Sequence, residues 1–228
     1  MMSYRTLLLA LSVFLSLSLM SQNDGQSVLL ISLQKENIHA NANMENYLSS
    51  VGISDKQIKN RVMAEAQQTL QEVSERNGVQ LKSMKDQVAL LSSEFVKLQK
   101  QDAIDKTPGD REHNFFDKLL NIFRKSPPSH YMSAEFSADK VNRITTNLEQ
   151  QKSQYAIILH QYEMNRSICG AAELIVHFTV IDREGEIVLG AQQIYYIDIS
   201  KSMKPALIPH IIESGFSDTY QIIFDKLF

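Results

Sequence analysis

Tryptophan is absent, cysteine occurs once, and the longest basic block is the pair Arg124-Lys125 in a chain of 228 residues. Each shortage closes a route. Without Trp the commonest stacking platform for sugars is missing, although eight Tyr and ten Phe remain, so carbohydrate binding is not favoured. The lone Cys169 cannot close an intramolecular disulfide, so the fold must hold by packing. Nor does it follow the apolar leader as a lipobox cysteine would, which removes that route to a lipid anchor. The formal charge is −3, and it becomes −4 once Arg5 is removed. With no stripe of Lys and Arg to neutralise phosphates, nucleic acid is not expected as a partner. No phosphate loop, dinucleotide fingerprint, HxH or HExxH pattern occurs, and no cofactor is expected.

What is present begins with an address. Arg5 precedes an apolar run over 7–19, and polar Ser21-Gln22-Asn23-Asp24-Gly25 follows. A basic start, an apolar stretch too short to span a bilayer and small residues at Ser16, Ser18 or Ser21 make 1–21 a secretory signal peptide. The expected location is exported, periplasmic or secreted. The remainder, 22–228, is about 205 residues, enough for one domain with a core of its own. Hydrophobic residues make up 43% and charged residues 21%, which fits a folded soluble domain rather than a disordered chain.

Along the chain, the apolar run Val28-Leu29-Leu30-Ile31-Ser32-Leu33 reads as a buried first strand. Weak periodicity and the lone Gly52 give 37–50 the character of a loop. A strong helix follows: Ser54 and Gln57 form a capping box, Ile58, Val62, Ala66, Leu70 and Val73 share a face, and Asn77-Gly78 supplies the stop. A short strand is expected at 79–81. Met84, Val88, Leu91, Phe95 and Leu98 then recur at spacings of 4, 3, 4 and 3. That stripe is too short for a true coiled coil, so a helix lying on the core is expected before a dimer zipper. After Thr107-Pro108-Gly109-Asp110 comes a very apolar helix with Phe115, Phe116, Leu119, Leu120, Ile122 and Phe123, ended by Pro127-Pro128. Core packing accounts for it; docking of Phe115, Phe116, Leu119, Leu120 and Phe123 on another envelope protein or a membrane surface is the functional alternative. A further helix over 137–151 turns Val141, Ile144 and Leu148 inward.

From Tyr155 the pattern becomes that of strands. Runs at 155–164, 173–182 and 186–199, joined by a loop with Cys169-Gly170 and the tight turn Arg183-Glu184-Gly185, make a β-meander. A final helix opens at Pro205 and Pro209 and carries Ile212, Phe216, Tyr220, Ile223 and Leu227 on one face, with Gly215 weakening its middle. The expected fold is α+β: a small, mostly antiparallel sheet, its carboxy-terminal three-strand meander covered by helices, with a helical insertion at about 82–126.

Symmetric turns assign the two faces of the meander. One carries Ile157, Leu159, Val176, Phe178, Val180, Leu189 and Ala191, a core face for helices. The other carries Ile158, His160, Tyr162, Ile175, His177, Thr179, Gly190, Gln192 and Ile194, mixed and partly wet. His160 and His177 are expected directly opposite each other, with Cβ atoms about 5 Å apart. They are the candidate metal ligands. A zinc site needs further donors, Tyr162 and Gln192 are poor ones and Glu163 points the other way in this register, so a solvated pair of rings is the plainer expectation. Ser32-Leu33-Gln34-Lys35 and Ser137-Ala138-Asp139-Lys140 match SxxK without its companion motifs, and Ser137 reads as an N-cap. Cys169 has no base placed beside it, which leaves it a buried or incidental thiol. Asn165-Arg166-Ser167 is a glycosylation sequon, meaningful only in a eukaryotic secretory route.

The stretch from Glu173 to Asp182, then Arg183-Glu184-Gly185 and on to Gly190, resembles the strand, D-x-x-G, strand meander of curli-secretion CsgG-type periplasmic domains and related bacterial envelope lipoproteins. The likeness covers about 75 residues, with 28–33 as the opening strand. It implies an envelope α/β domain closing on a helix. The missing lipobox and the inserted stretch 84–125 depart from that pattern, so anchoring and pore formation are not implied. The expected function is a non-catalytic binding or assembly module of the cell envelope. The alternatives are a hydrolase or metal-assisted enzyme on the His160 and His177 face, and a structural protein oligomerising through 84–98.

Overall fold

The computed structural model describes residues 26–83, 98–107, 130–199 and 205–228. The leader, most of the heptad stripe and the Phe-rich segment with Phe115, Phe116, Leu119, Leu120 and Phe123 lie outside the described residues.

The apolar run after the leader forms β1 (Ser27–Ile31). All five of its residues are buried, as expected of a strand covered on both faces. It pairs in parallel with β3 (Gln80–Ser83) on one side and with β7 (Tyr155–Arg166) on the other. β7, β8 (Ala171–Asp182) and β9 (Ile187–Asp198) form the antiparallel meander. Two short strands complete this mixed sheet: β2 (Ile38–Ala40), parallel to β7, and β5 (Ile104–Asp105), antiparallel to the start of β9. The main path runs β3-β1-β7-β8-β9-β5. A separate two-stranded ribbon joins β4 (Leu98–Asp102) to β6 (His130–Ala134).

The stretch expected to be a loop is instead β2 followed by helix α1 (Ala42–Ser50). Asn41 is the cause. Its Oδ1 accepts from Met44 N at 2.9 Å and from Arg166 N at 3.1 Å, while its Nδ2 donates to Arg166 O at 3.1 Å. One side chain thus caps a helix and fastens it to the end of β7, a long-range use of an N-cap that local periodicity does not announce. Leu98, the last position of the heptad stripe, belongs to β4, because it pairs across the ribbon with Ala134.

Helix α2 (Asp55–Arg76) starts with the expected reciprocal cap: Gln57 N donates to Ser54 Oγ and Ser54 N to Gln57 Oε1. Gly78, at φ +68°, permits the reversal into β3. α2 lies beside the closing helix α4 (Ile208–Leu227), and Tyr220 Oη of α4 donates to Ala66 O at 2.7 Å inside the contact. Helices α1, α2 and α4 cover one face of the sheet, and Ile157, Leu159, Val176, Phe178, Val180 and Leu189 meet them as expected. The opposite face is covered by α3 (Ala138–Gln151) and the β4–β6 ribbon, through Leu29, Ile31, Ile158, Ile144 and Leu148. Three layers result, two coverings about one mixed sheet, an α+β arrangement with α3 inserted ahead of the meander. Ser137 holds the N-cap position of α3 but makes no side-chain cap bond. Among the described residues no helix is long and apolar enough to cross a membrane.

Gly215 sits mid-helix against Leu174 and Tyr195, and a Cβ placed there would lie 3.5 Å from Leu174 Cδ1, an ordinary contact. Gly215→Ala is therefore expected to stabilise the fold by about 0.5–1 kcal/mol through helix propensity alone. Urea unfolding checks it; a destabilised variant would show that α4 lies closer to the sheet than this packing allows.

Candidate functional site

The register of the meander departs from the symmetric expectation at one residue. Leu159 pairs with Phe178, yet the next pair is Gln161 with His177, so His160 is an extra residue, a bulge in β7. The β8–β9 register needs no such shift through the same region, where His177 faces Gln192. A bulge puts two successive side chains on one face and reverses the alternation beyond it. Tyr162 and Met164 consequently join the helix-side core, with Tyr162 stacked on Phe216 at 5.1 Å. Tyr162 was expected on the other face. Glu163, expected to point away from the histidines, lies beside one of them.

His160 and His177 are not opposite each other, and neither is solvated: they are 0% and 3% exposed. The ribbon covers them. Met132 N on β6 donates to His177 Nδ1 at 3.0 Å, so that nitrogen carries no proton and Nε2 must. His177 Nε2 in turn donates to Glu163 Oε1 at 3.0 Å. Gln161 Nε2 donates to the same oxygen at 2.7 Å, and Asn165 Nδ2 to Glu163 Oε2 at 3.3 Å. These bonds, that from His177 first, hold the Glu163 carboxyl below its usual range. Gln161 and Asn165, the ribbon-side neighbours of Glu163 on β7, thus converge with His177 of β8 on one carboxylate.

His160 belongs to a neighbouring group. Its Nε2 lies 2.7 Å from Thr179 Oγ1 and 3.5 Å from Ser133 Oγ. Thr179 Oγ1 is 3.4 Å from Tyr131 Oη, and the His160 ring packs against Phe136 at 5.8 Å. Burial, with the nearby His177, pushes the His160 pKa down to about 3. The ring is neutral at any ordinary pH.

The arrangement has the carboxylate–imidazole half of a nucleophile-activating relay, but a backbone N–H occupies the place of the nucleophile. An amide hydrogen has no electron pair to offer a substrate there. Both His177 nitrogens are engaged, and among the described residues no group of three His, Cys, Asp or Glu is placed to hold a metal ion. What these groups do is fasten the ribbon: Tyr131, Met132 and Ser133 are three successive β6 residues, each meeting a polar group of the sheet. Tyr131 also lies on Gly190, where a Cβ would come within 2.6 Å of Tyr131 Cζ. Tyr131 and Ser133 carry no sequence signal for this cluster, and the symmetric register turns Glu163 away from it. The available signal was the change of apolar parity in β7, odd at Ile157 and Leu159 but even at Tyr162 and Met164.

Elsewhere, Cys169 is exposed in the β7–β8 turn, 3.0 Å from Ser167 Oγ. That contact comes first among the causes lowering its thiol pKa. Arg166, buried, donates twice to Ile199 O and lies over the Tyr47 ring at 5.0 Å.

No protein-family model matches the chain, and no curated protein matches it. Among solved structures, two PelC dodecamers from Paraburkholderia phytofirmans are similar at 10% identity. One, carrying a point substitution, aligns over 85% of this chain and 86% of that one with a TM-score of 0.33. The other aligns over 85% and 87% with a TM-score of 0.35. These two structures are of PelC and not of a CsgG-type domain.

Two outcomes follow from the roofed cluster. His160 takes up a proton near pH 6.5 when unfolded and near 3 when folded, so its contribution is complete above that range and declines as pH falls through it. Between pH 6 and 4 the slope of unfolding free energy against pH should be shallower by about 1 kcal/mol per unit in His160→Asn than in the parent; parallel slopes in urea titrations would contradict a buried neutral ring. Gly190→Ala should lose about 1–3 kcal/mol by lifting Tyr131, and an unchanged midpoint would place Tyr131 elsewhere.

Proposed function

We propose that this chain is an exported, non-catalytic module of the bacterial cell envelope that works by binding other components. The observation that carries the reading is the engagement of His177, with its two nitrogens bonded to Met132 N–H and Glu163 beneath the ribbon. A polar cluster used for closing a domain leaves recognition to the surface. The leader over 1–21 supports export to the periplasm or beyond. The Phe-rich segment, through Phe115, Phe116, Leu119, Leu120 and Phe123, is the proposed contact with an envelope protein or membrane surface, on composition and spacing.

The competing reading, a hydrolase or metal-assisted enzyme, needs His160 and His177 to reach a substrate or zinc. The two readings separate in one preparation. Expressed with its leader in a Gram-negative host, the chain should accumulate outside the cytosol with a new amino terminus close to residue 22. It should carry no stoichiometric zinc, and Phe116→Ser with Leu119→Ser should release it from the envelope fraction. Zinc lost on His177→Ala, or turnover of a hydrolase panel abolished by that change, would overturn the proposal. So would a chain found in the cytosol still beginning at Met1.

A further inference from the structure

β5 covers the outer edge of β9 only as far as Gly190, through the pairs Ile104 with Gly190 and Asp105 with Leu189. From Ala191 to Ile197 the outer edge of β9 has no strand partner among the described residues. Its hydrogen-bonding phase can be read from both sides. Ile199 N donates inward to Gly170 O, and Lys106 N donates from outside to Val188 O. Alternation then turns the backbone groups of Gln192, Ile194 and Tyr196 outward.

Monomeric proteins guard such an edge with Lys, Pro, a bulge or a covering loop. Here the run Ala191-Gln192-Gln193-Ile194-Tyr195-Tyr196-Ile197 holds no charge, no Pro and no Gly. It is rich in β-formers, and Tyr196 is 60% exposed.

We propose that β9 pairs with β9 of a second copy of this chain, antiparallel about a two-fold axis at Ile194. Three features of the edge fit that occupant. The open run lies between Gly190, where β5 stops, and Asp198, where β9 ends, and its middle residue is Ile194. A two-fold there matches the free length of one copy to that of the other. The phase agrees as well, because outward-facing Ile194 meets its own equivalent and Gln192 meets Tyr196 of the second copy, each as a pair exchanging both backbone bonds. Finally, a two-fold keeps the faces aligned: Gln192, Ile194 and Tyr196 stay on the ribbon side, and Gln193 opposes Tyr195 on the helix side. About six backbone hydrogen bonds would form, and the two sheets would become one. The pairing rests on the β9 edge and goes beyond the binding function proposed above; either can fail without the other.

Sedimentation of the purified full chain tests it. The parent should dimerise reversibly. Tyr196→Pro removes an outward N–H that no bond among the described residues uses, so it should sediment as a monomer with an unchanged circular dichroism spectrum. In a Cys169→Ser background, Ile194→Cys should oxidise to a covalent dimer, since the introduced thiols would face each other at the axis. If Tyr196→Pro fails to fold, that crosslink decides alone. A parent monomeric at all concentrations, a dimer that survives Tyr196→Pro, or a dimer whose introduced thiols stay free would overturn the pairing.

Discussion

The bulge at His160 decides which side chains of β7 meet the helices and which meet the ribbon. Before it, Ile157 and Leu159 belong to the helix-side core; after it, Tyr162 and Met164 do. A regular strand would have sent Glu163 and Asn165 into that apolar layer, where an unpaired carboxylate is strongly unfavourable. One extra residue instead keeps the whole strand amphipathic in the right sense and delivers Gln161, Glu163 and Asn165 to a common place opposite β6.

The ribbon depends on that delivery. β6 docks by polar matches at Tyr131, Met132 and Ser133 beside apolar packing at Ala134, and Gly190 leaves room for the Tyr131 ring. Directional bonds of this kind fix where the ribbon sits, whereas apolar burial alone tolerates sliding. The same bonds occupy the imidazoles that a catalyst or a zinc ion would require. The features that make the cluster resemble an active site in composition are, in this geometry, the features that close the domain. Among the described residues the outer edge of β9 from Ala191 to Ile197 has no strand partner.

Much of the fold is legible in the sequence. The α2 capping box, the Asn77-Gly78 stop, the meander and the helix-side face at Ile157, Val176, Phe178 and Val180 follow from local rules of period and capping. The rest fails for identifiable reasons. Asn41 caps α1 while bonding to Arg166, a partner 125 positions away, so the segment from β2 to α1 has no strong signal of its own. β4, β5 and β6 are short, and Leu98 fits a heptad stripe as well as it fits a strand. The bulge is the intermediate case: the parity change from Leu159 to Tyr162 is written in the sequence, but assuming symmetric turns hides it. Because that assumption placed Glu163 on the wrong face, the polar cluster read as two solvated histidines.

The register of β7 against β8 beyond His160 is the most direct test of this account. In a solution nuclear magnetic resonance spectrum, close contacts between α-protons are expected for Tyr162 with Val176 and for Met164 with Leu174, the pairs that follow from an extra residue at His160. Contacts joining Tyr162 to Ile175 instead would restore the unbulged ribbon, turn Tyr162 away from Phe216 and contradict the account.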